Sequence, residues 1–176
     1  MTTAGVKSVR GSMKHIILLV SSGLLTSFSL YAQGDSKFVK EASEGGLAEV
    51  QLGQLAQQKG QNQAVKDFGQ RMVSDHTKAN QELKAVAAEE KMPISTSLGV
   101  SNAALKVKLE ALAGAAFDKA YMSAMVKDHQ EDIAAFEKEA NSGENAKIKS
   151  FASKTLPTLR EHLSMAEKAA AAVGSK

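Results

Sequence analysis

Beyond residue 36 this chain repeats apolar side chains at alternating steps of three and four over long unbroken stretches, and that spacing leaves few choices of fold. One stretch carries Val65, Phe68, Met72, His76, Ala79, Leu83 and Val86. A second carries Phe117, Tyr121, Met125, His129, Ile133, Phe136 and Ala140, and a third Ile148, Phe151, Thr155, Leu159, His162, Ala166 and Ala169. Steps of three and four put these residues on one stripe of a helix, the pattern of a helical-bundle core. With only two prolines, Pro93 and Pro157, and many Ala, Leu, Lys, Glu and Gln residues, the chain favours helix over turn-rich sheet.

The spacing predicts four main helices. The first runs from about Ser36 to Lys59 and stops at Gly60, with Phe38, Ala42, Gly45, Leu52 and Ala56 on its stripe and Glu49 in the middle. The second runs from about Asn62 to Lys91, where Met92 and Pro93 end it. A short helix, Asn102 to Leu112, capped by Ser101, precedes the third, Ala115 to Ala140. The fourth covers Glu144 to Val173 and is kinked at Pro157. The expectation is an all-α, ferritin-like four-helix bundle, a single domain over residues 36–173. Its long crossover, Met92 to Gly114, carries the extra helix and makes the second and third helices parallel.

The start of the chain reads as a targeting segment. "MKHIILLVSSGLLTSFSLYAQG" has a basic start at Lys14, an apolar run from Ile16 to Leu30 and a small residue, Ala32, before Gln33. Residues 1–32 are therefore expected to be a cleaved signal peptide, with Met1 or Met13 as the true start, and the mature chain to lack a transmembrane segment. No cysteine follows the run, which excludes a lipoprotein anchor, and the expected location is the periplasm. The only charged residues of the leader are Lys7, Arg10 and Lys14. Of 22 basic residues 19 are left beyond it, against 19 acidic ones, so the pI near 9.0 gives no support to a nucleic-acid partner. Without cysteine, neither disulfides nor thiolate sites exist.

Met-Val-x-Asp-His occurs twice, at 72–76 and 125–129, and every histidine beyond the leader, His76, His129 and His162, lies on a buried stripe. Three imidazoles and a carboxylate, one per helix, form a candidate metal site: Glu49, His76, His129 and His162, for Cu, Zn or Fe. Met72 and Met125, one turn before two of the histidines, are candidate additional ligands that would favour copper. Asp75, Asp128 and Glu161 point about 100° away and read as supporting or surface groups. The bland alternative is a buried network in which Glu49 keeps the imidazoles charged, with Tyr121 as a further hydrogen-bond partner.

Depth along the bundle is the difficulty for a common site. Folding the first helix back about Gly60 leaves Glu49 some ~7 Å short of His76, and folding the fourth about Ser142 leaves His162 some ~10 Å from His129. Gly45, Gly46 and Gly53 lie within a helical pattern, where they permit close helix approach rather than phosphate binding.

The segments "GGLAEVQLGQLAQQKGQNQAVKDFGQRMVSDHTKANQEL", "FDKAYMSAMVKDHQEDIAAFEKEA" and "LPTLREHLSMAEKA" resemble a bacterial exported family known as domain of unknown function 4142. The resemblance implies a ferritin-like bundle and export, and members are described as outer-membrane proteins, so peripheral outer-membrane association is an expectation. It implies no agreed activity. Position i−3 before each histidine is Val73, Val126 or Leu159, so the Glu-x-x-His of di-iron bundles is absent and no ferroxidase chemistry carries over. Three function classes follow: a metal-binding bundle, a non-enzymatic envelope stress or interaction protein, and, disfavoured, a redox enzyme. An enzyme is the weaker expectation throughout.

Overall fold

The computed structural model describes residues 1–2 and 25–174, with side chains described from Gly34 onward. The described residues form five helices and no strand: α1 (Leu25–Lys59), α2 (Gln63–Glu89), α3 (Gly99–Glu110), α4 (Gly114–Ser142) and α5 (Ala146–Ala172). The expected leader falls mostly on residues 3–24, outside the described residues, while residues 25–32 are continuous with α1. No helix among the described residues is long and apolar enough to cross a membrane.

Four boundaries differ from the sequence reading for local reasons. Helix α1 begins upstream of Ser36. Helix α2 ends at Glu89 because Lys91 takes a left-handed conformation, φ 55°, which lets Met92 N–H bond Ala87 O at 2.8 Å and Lys91 N–H bond Ala88 O at 3.2 Å. Helix α3 begins at Gly99 with no side-chain cap, so Ser101 is inside the helix and caps nothing. Helix α5 is continuous through Pro157, and Asn145 caps it by accepting from Lys147 N and Ile148 N at 3.0 and 3.1 Å.

Contacts run around a ring, α1 to α2, α2 to α5, α5 to α4 and α4 to α1, with α3 against α1 and α4. Helices α2 and α4 therefore occupy one diagonal instead of lying side by side. They are parallel, because Asp118 in the first turns of α4 accepts from Gln61 N at 3.0 Å and Asn62 N at 2.8 Å, at the start of α2. At the opposite end Asp35 on α1 accepts from Glu144 N at 3.0 Å and Asn145 N at 2.7 Å. Each hairpin turn is thus held by a buried carboxylate from the other hairpin.

This reciprocity reflects an internal repeat. Shifting α2 by 83 residues gives the bounds of α5, and the same shift carries the end of α1 onto the end of α4. Asp35 maps to Asp118, Gly60 to Gly143, and the cap Asn62 to the cap Asn145.

The core is in two apolar clusters. One gathers Leu52, Phe68, Met72, Leu109, Phe117, Tyr121, Met125 and neighbours. The other gathers Phe38, Val39, Leu83, Phe136, Ile148, Phe151, Leu159 and neighbours. Of the glycines read as close-approach positions, Gly53 is one: a Cβ there would stand 2.6 Å from Gly69 O on α2, and one on Gly69 2.7 Å from Gly53 O. The nearest atoms to a Cβ on Gly46 would be those of the Asn80 side chain, and a Cβ on Gly45 would meet nothing within 4 Å.

Replacing Gly53 with Ala should lower stability by about 1–3 kcal/mol, because two backbones must separate, whereas Gly45→Ala should be neutral or raise it by up to about 1 kcal/mol. Urea denaturation checks both; equal effects would contradict the packing. Asp118→Ala removes two hydrogen bonds to a buried carboxylate and should cost about 3 kcal/mol in the same assay.

A candidate metal centre between two apolar clusters

Glu49, His76, His129 and His162 are all buried, between 0 and 6 % exposed, in a polar layer contributed by the four long helices. The expected offset in depth is absent. The turns centre on Gln61 and Glu144 rather than Gly60 and Ser142, and side chains on antiparallel neighbours tilt toward their own N-termini, which brings these pairs together. His76 Nδ1 lies 2.7 Å from Glu49 Oε2, and His129 Nε2 lies 3.3 Å from Glu49 Oε1. Ring centroids are 5.2 Å apart for His76 and His162, 5.4 Å for His129 and His162, and 6.1 Å for His76 and His129. One nitrogen from each imidazole falls within 4.8 Å of the other two.

Two of the rings are fixed by their far nitrogens. His129 Nδ1–H donates to Met125 O at 2.9 Å, one helical turn back. His162 Nε2–H donates to Asp75 Oδ2 at 2.9 Å, across to α2, and Asp75 also pairs with Arg71, whose Nη2 is 3.5 Å from Glu161 Oε2. These bonds assign the tautomers, leaving a lone pair on His129 Nε2 and on His162 Nδ1. Those two atoms, His76 Nε2 and both Glu49 oxygens lack any hydrogen-bond partner, since the close Glu49 contacts do not align as hydrogen bonds. Tyr121 OH is also buried and unpartnered, so the tyrosine does not satisfy the imidazoles.

Burial dominates the electrostatics. It pushes the Glu49 carboxyl up to about 8, against the lowering effect of His129 and with a further upward push from Asp128. It pushes His76 and His162 down to about 4 and lowers His129 as well, despite the attraction of Glu49. Burial thus works against the expectation that Glu49 keeps the rings charged: desolvation favours the neutral form of each of the four groups, against the attraction between Glu49 and His129. Burial also raises Asp75, but hydrogen bonds from His162 and Arg71 outweigh it and hold that carboxyl below its usual range.

The structure brings all four predicted ligands together but leaves Met72 and Met125 in the neighbouring apolar cluster; Met125 serves through its backbone carbonyl. Of the three acids preceding the histidines, Asp75 braces His162, Asp128 joins Glu49 and His129 in a second group with ligand atoms within 4.8 Å, and Glu161 stays at the surface. Asp132 was not singled out by sequence. It lines a small cavity with Glu49 and His76, and burial together with Glu49 and Asp128 holds its carboxyl well above the usual range. The available signal was the repeat, which carries Glu49 onto position 132.

The chain matches the family described as a domain of unknown function (DUF4142) over residues 27–169. It belongs to that family. No curated protein and no solved structure matches it.

The neutral imidazoles have a consequence in acid. An unfolded histidine binds its proton near 6.5, the folded His76 and His162 only near 4, so the unfolded state gains protons first as pH falls. Their contribution is complete above pH 6.5 and is lost between 6.5 and 4, on the order of 3 kcal/mol for each ring. Glu49 acts oppositely, its contribution complete below 4.5 and lost as pH rises through about 8. Nitrogen NMR of metal-free protein should find His76 and His162 neutral down to pH 5; midpoints near 6.5 would contradict the burial.

Proposed function

We propose that this protein is an exported bundle with a ferritin-like chain path that binds one divalent transition-metal ion through Glu49, His76, His129 and His162. The carrying observation is the set of five unpartnered buried atoms, one nitrogen on each of three rings and both oxygens of Glu49. Leaving a buried polar atom unsatisfied costs about 1–3 kcal/mol. An ion shared among these atoms would satisfy them together.

The donor set is three imidazoles and a carboxylate without thiolate, which suits zinc and also accepts copper or iron. The hydrogen bonds from His129 to Met125 O and from His162 to Asp75 resemble the outer contacts that hold metal-bound histidines in one tautomer. Export is supported by the leader pattern, a basic start at Lys14 followed by an apolar run from Ile16 to Leu30. The periplasm is the proposed location, with peripheral outer-membrane contact open to the same reasoning and no nucleic-acid partner.

A second reading has its own observation. Since burial favours the neutral form of all four groups, the layer can fold without an ion, as a structural network in a non-enzymatic envelope stress or interaction protein. Elemental analysis of untagged protein separates the two. The metal reading expects one ion per chain, lost in His129→Ala and His162→Ala; the network reading expects lower thermal stability in those variants with no change in metal. Protein that stays metal-free after challenge with Cu, Zn and Fe overturns the proposal.

Binding should also be pH dependent. The ion displaces the proton of Glu49, so the affinity should tighten about tenfold per pH unit up to about 8 and then level off. Competition titrations between pH 6 and 9 read this directly, and a flat profile below pH 8 would contradict a protonated Glu49 giving up its proton to the ion.

A further inference from the structure

Two donor groups meet in the polar layer, and they share a residue. One is the imidazole set His76, His129 and His162; the other is Glu49, Asp128 and His129, each with ligand atoms within 4.8 Å of one another. His129 Nδ1 is committed to Met125 O, so Nε2 is the one lone pair this ring can offer, and an ion uses it in one group at a time. The groups differ in chemistry. Three imidazoles suit zinc and copper, whereas two carboxylates with one imidazole make an oxygen-rich set that accepts a partly hydrated cation.

They differ also in exposure. Glu49, His76, His129 and His162 are buried, and among the five donors Asp128 alone is half-buried. Asp128 therefore gives the layer its outward face. Lys127 and Gln130 line a groove against α5, which leaves the Asp128 side of α4 toward Glu49 on α1. Of the neighbours in the ring, α1 and α4 pack against each other least. One turn further along α4, Asp132 borders the space beside Glu49, so a second carboxyl lies close to the same approach. Lys127, next to Asp128 in sequence, is paired with Glu131 at 2.8 Å. Asp75, the other half-buried acid beside the layer, offers no comparable entry. It meets the far nitrogen of His162, which donates to it, and it is already paired with Arg71.

We infer that Asp128, with Glu49 and His129, forms an outer cation position through which a divalent ion enters and leaves the buried imidazole group. The inference rests on the metal reading above and adds its loading step. An ion caught at Asp128 keeps water on its exposed side. It then exchanges Asp128 and that water for the lone pairs of His76 Nε2 and His162 Nδ1, while its bonds to Glu49 and His129 carry through. Asp128 is thus a ligand of passage, absent from the resting centre.

The test follows Co(II), whose visible spectrum reports its coordination, in the full chain by stopped flow: loading from free ion, and release to excess EDTA. A position visited only in passage lowers the barrier in both directions and cancels from the equilibrium. Asp128→Asn should therefore slow loading and release alike, by about tenfold or more, with one Co(II) per chain and little change in affinity. Asp128→Ser, smaller and equally uncharged, supplies the measurement if the asparagine variant does not fold, and Asp128→Glu should restore both rates. Slower loading with release unchanged is the mark of long-range attraction, and faster release with weaker affinity the mark of a resting ligand. Either result overturns the passage role, as do wild-type rates in a folded variant, while the centre itself stands. A wild type that binds no Co(II) overturns the centre and this entry with it.

Discussion

The burial of Glu49 among three imidazoles is the constraint on which the rest of this structure depends. A carboxylate and three rings in water would be ordinary; between two apolar clusters, burial favours their neutral forms and leaves them largely unsatisfied. A protein that only needed a core would gain by placing leucine at these positions, since removing all the polar partners together can be neutral or stabilising. The polar layer persists alongside a built support, the Met125 carbonyl behind His129 and the Asp75–Arg71 pair behind His162. Support of that kind fixes where lone pairs point, and fixed lone pairs are what a metal ion uses.

The repeat explains how four helices deliver side chains to one level. Because α1–α2 and α4–α5 are the same unit shifted by 83 residues, and because Asp35 and Asp118 each hold the other unit's turn, the two hairpins cannot slide past one another without breaking buried hydrogen bonds. Within that symmetric frame the site is asymmetric. Glu49 and Asp132 are repeat partners, whereas the counterparts of His76, His129 and His162 are Leu159, Gly46 and Ala79. The carboxylates follow the duplication and the imidazoles depart from it, which places the departure at the candidate centre.

Much of this was legible in the sequence because helix periodicity is a direct record of burial. The stripes named the core, and each histidine on a stripe is buried. What sequence could not resolve was depth. An error of one or two residues in a turn centre moves a side chain by several ångströms, so Glu49 and His162 looked too far from their partners until Gln61 and Glu144 were seen to centre the turns. The echo of Met-Val-x-Asp-His marks level rather than duplication. It links α2 and α4, parallel helices on a diagonal, and its histidines His76 and His129 do share one layer, whereas the repeat itself shares few identical residues and is marked by capping groups: Asp35 and Asp118, Asn62 and Asn145. Asp132 was missed because one acid near Glu131 on a charged helix carries no signal until its partner across the repeat is known.

X-ray absorption at the metal edge of protein recovered from its own compartment tests the central claim most directly. Three imidazole shells with a light-atom carboxylate contribution and no sulfur are the predicted result. An absent edge, or sulfur scattering from Met72 or Met125 in place of the imidazoles, would contradict it.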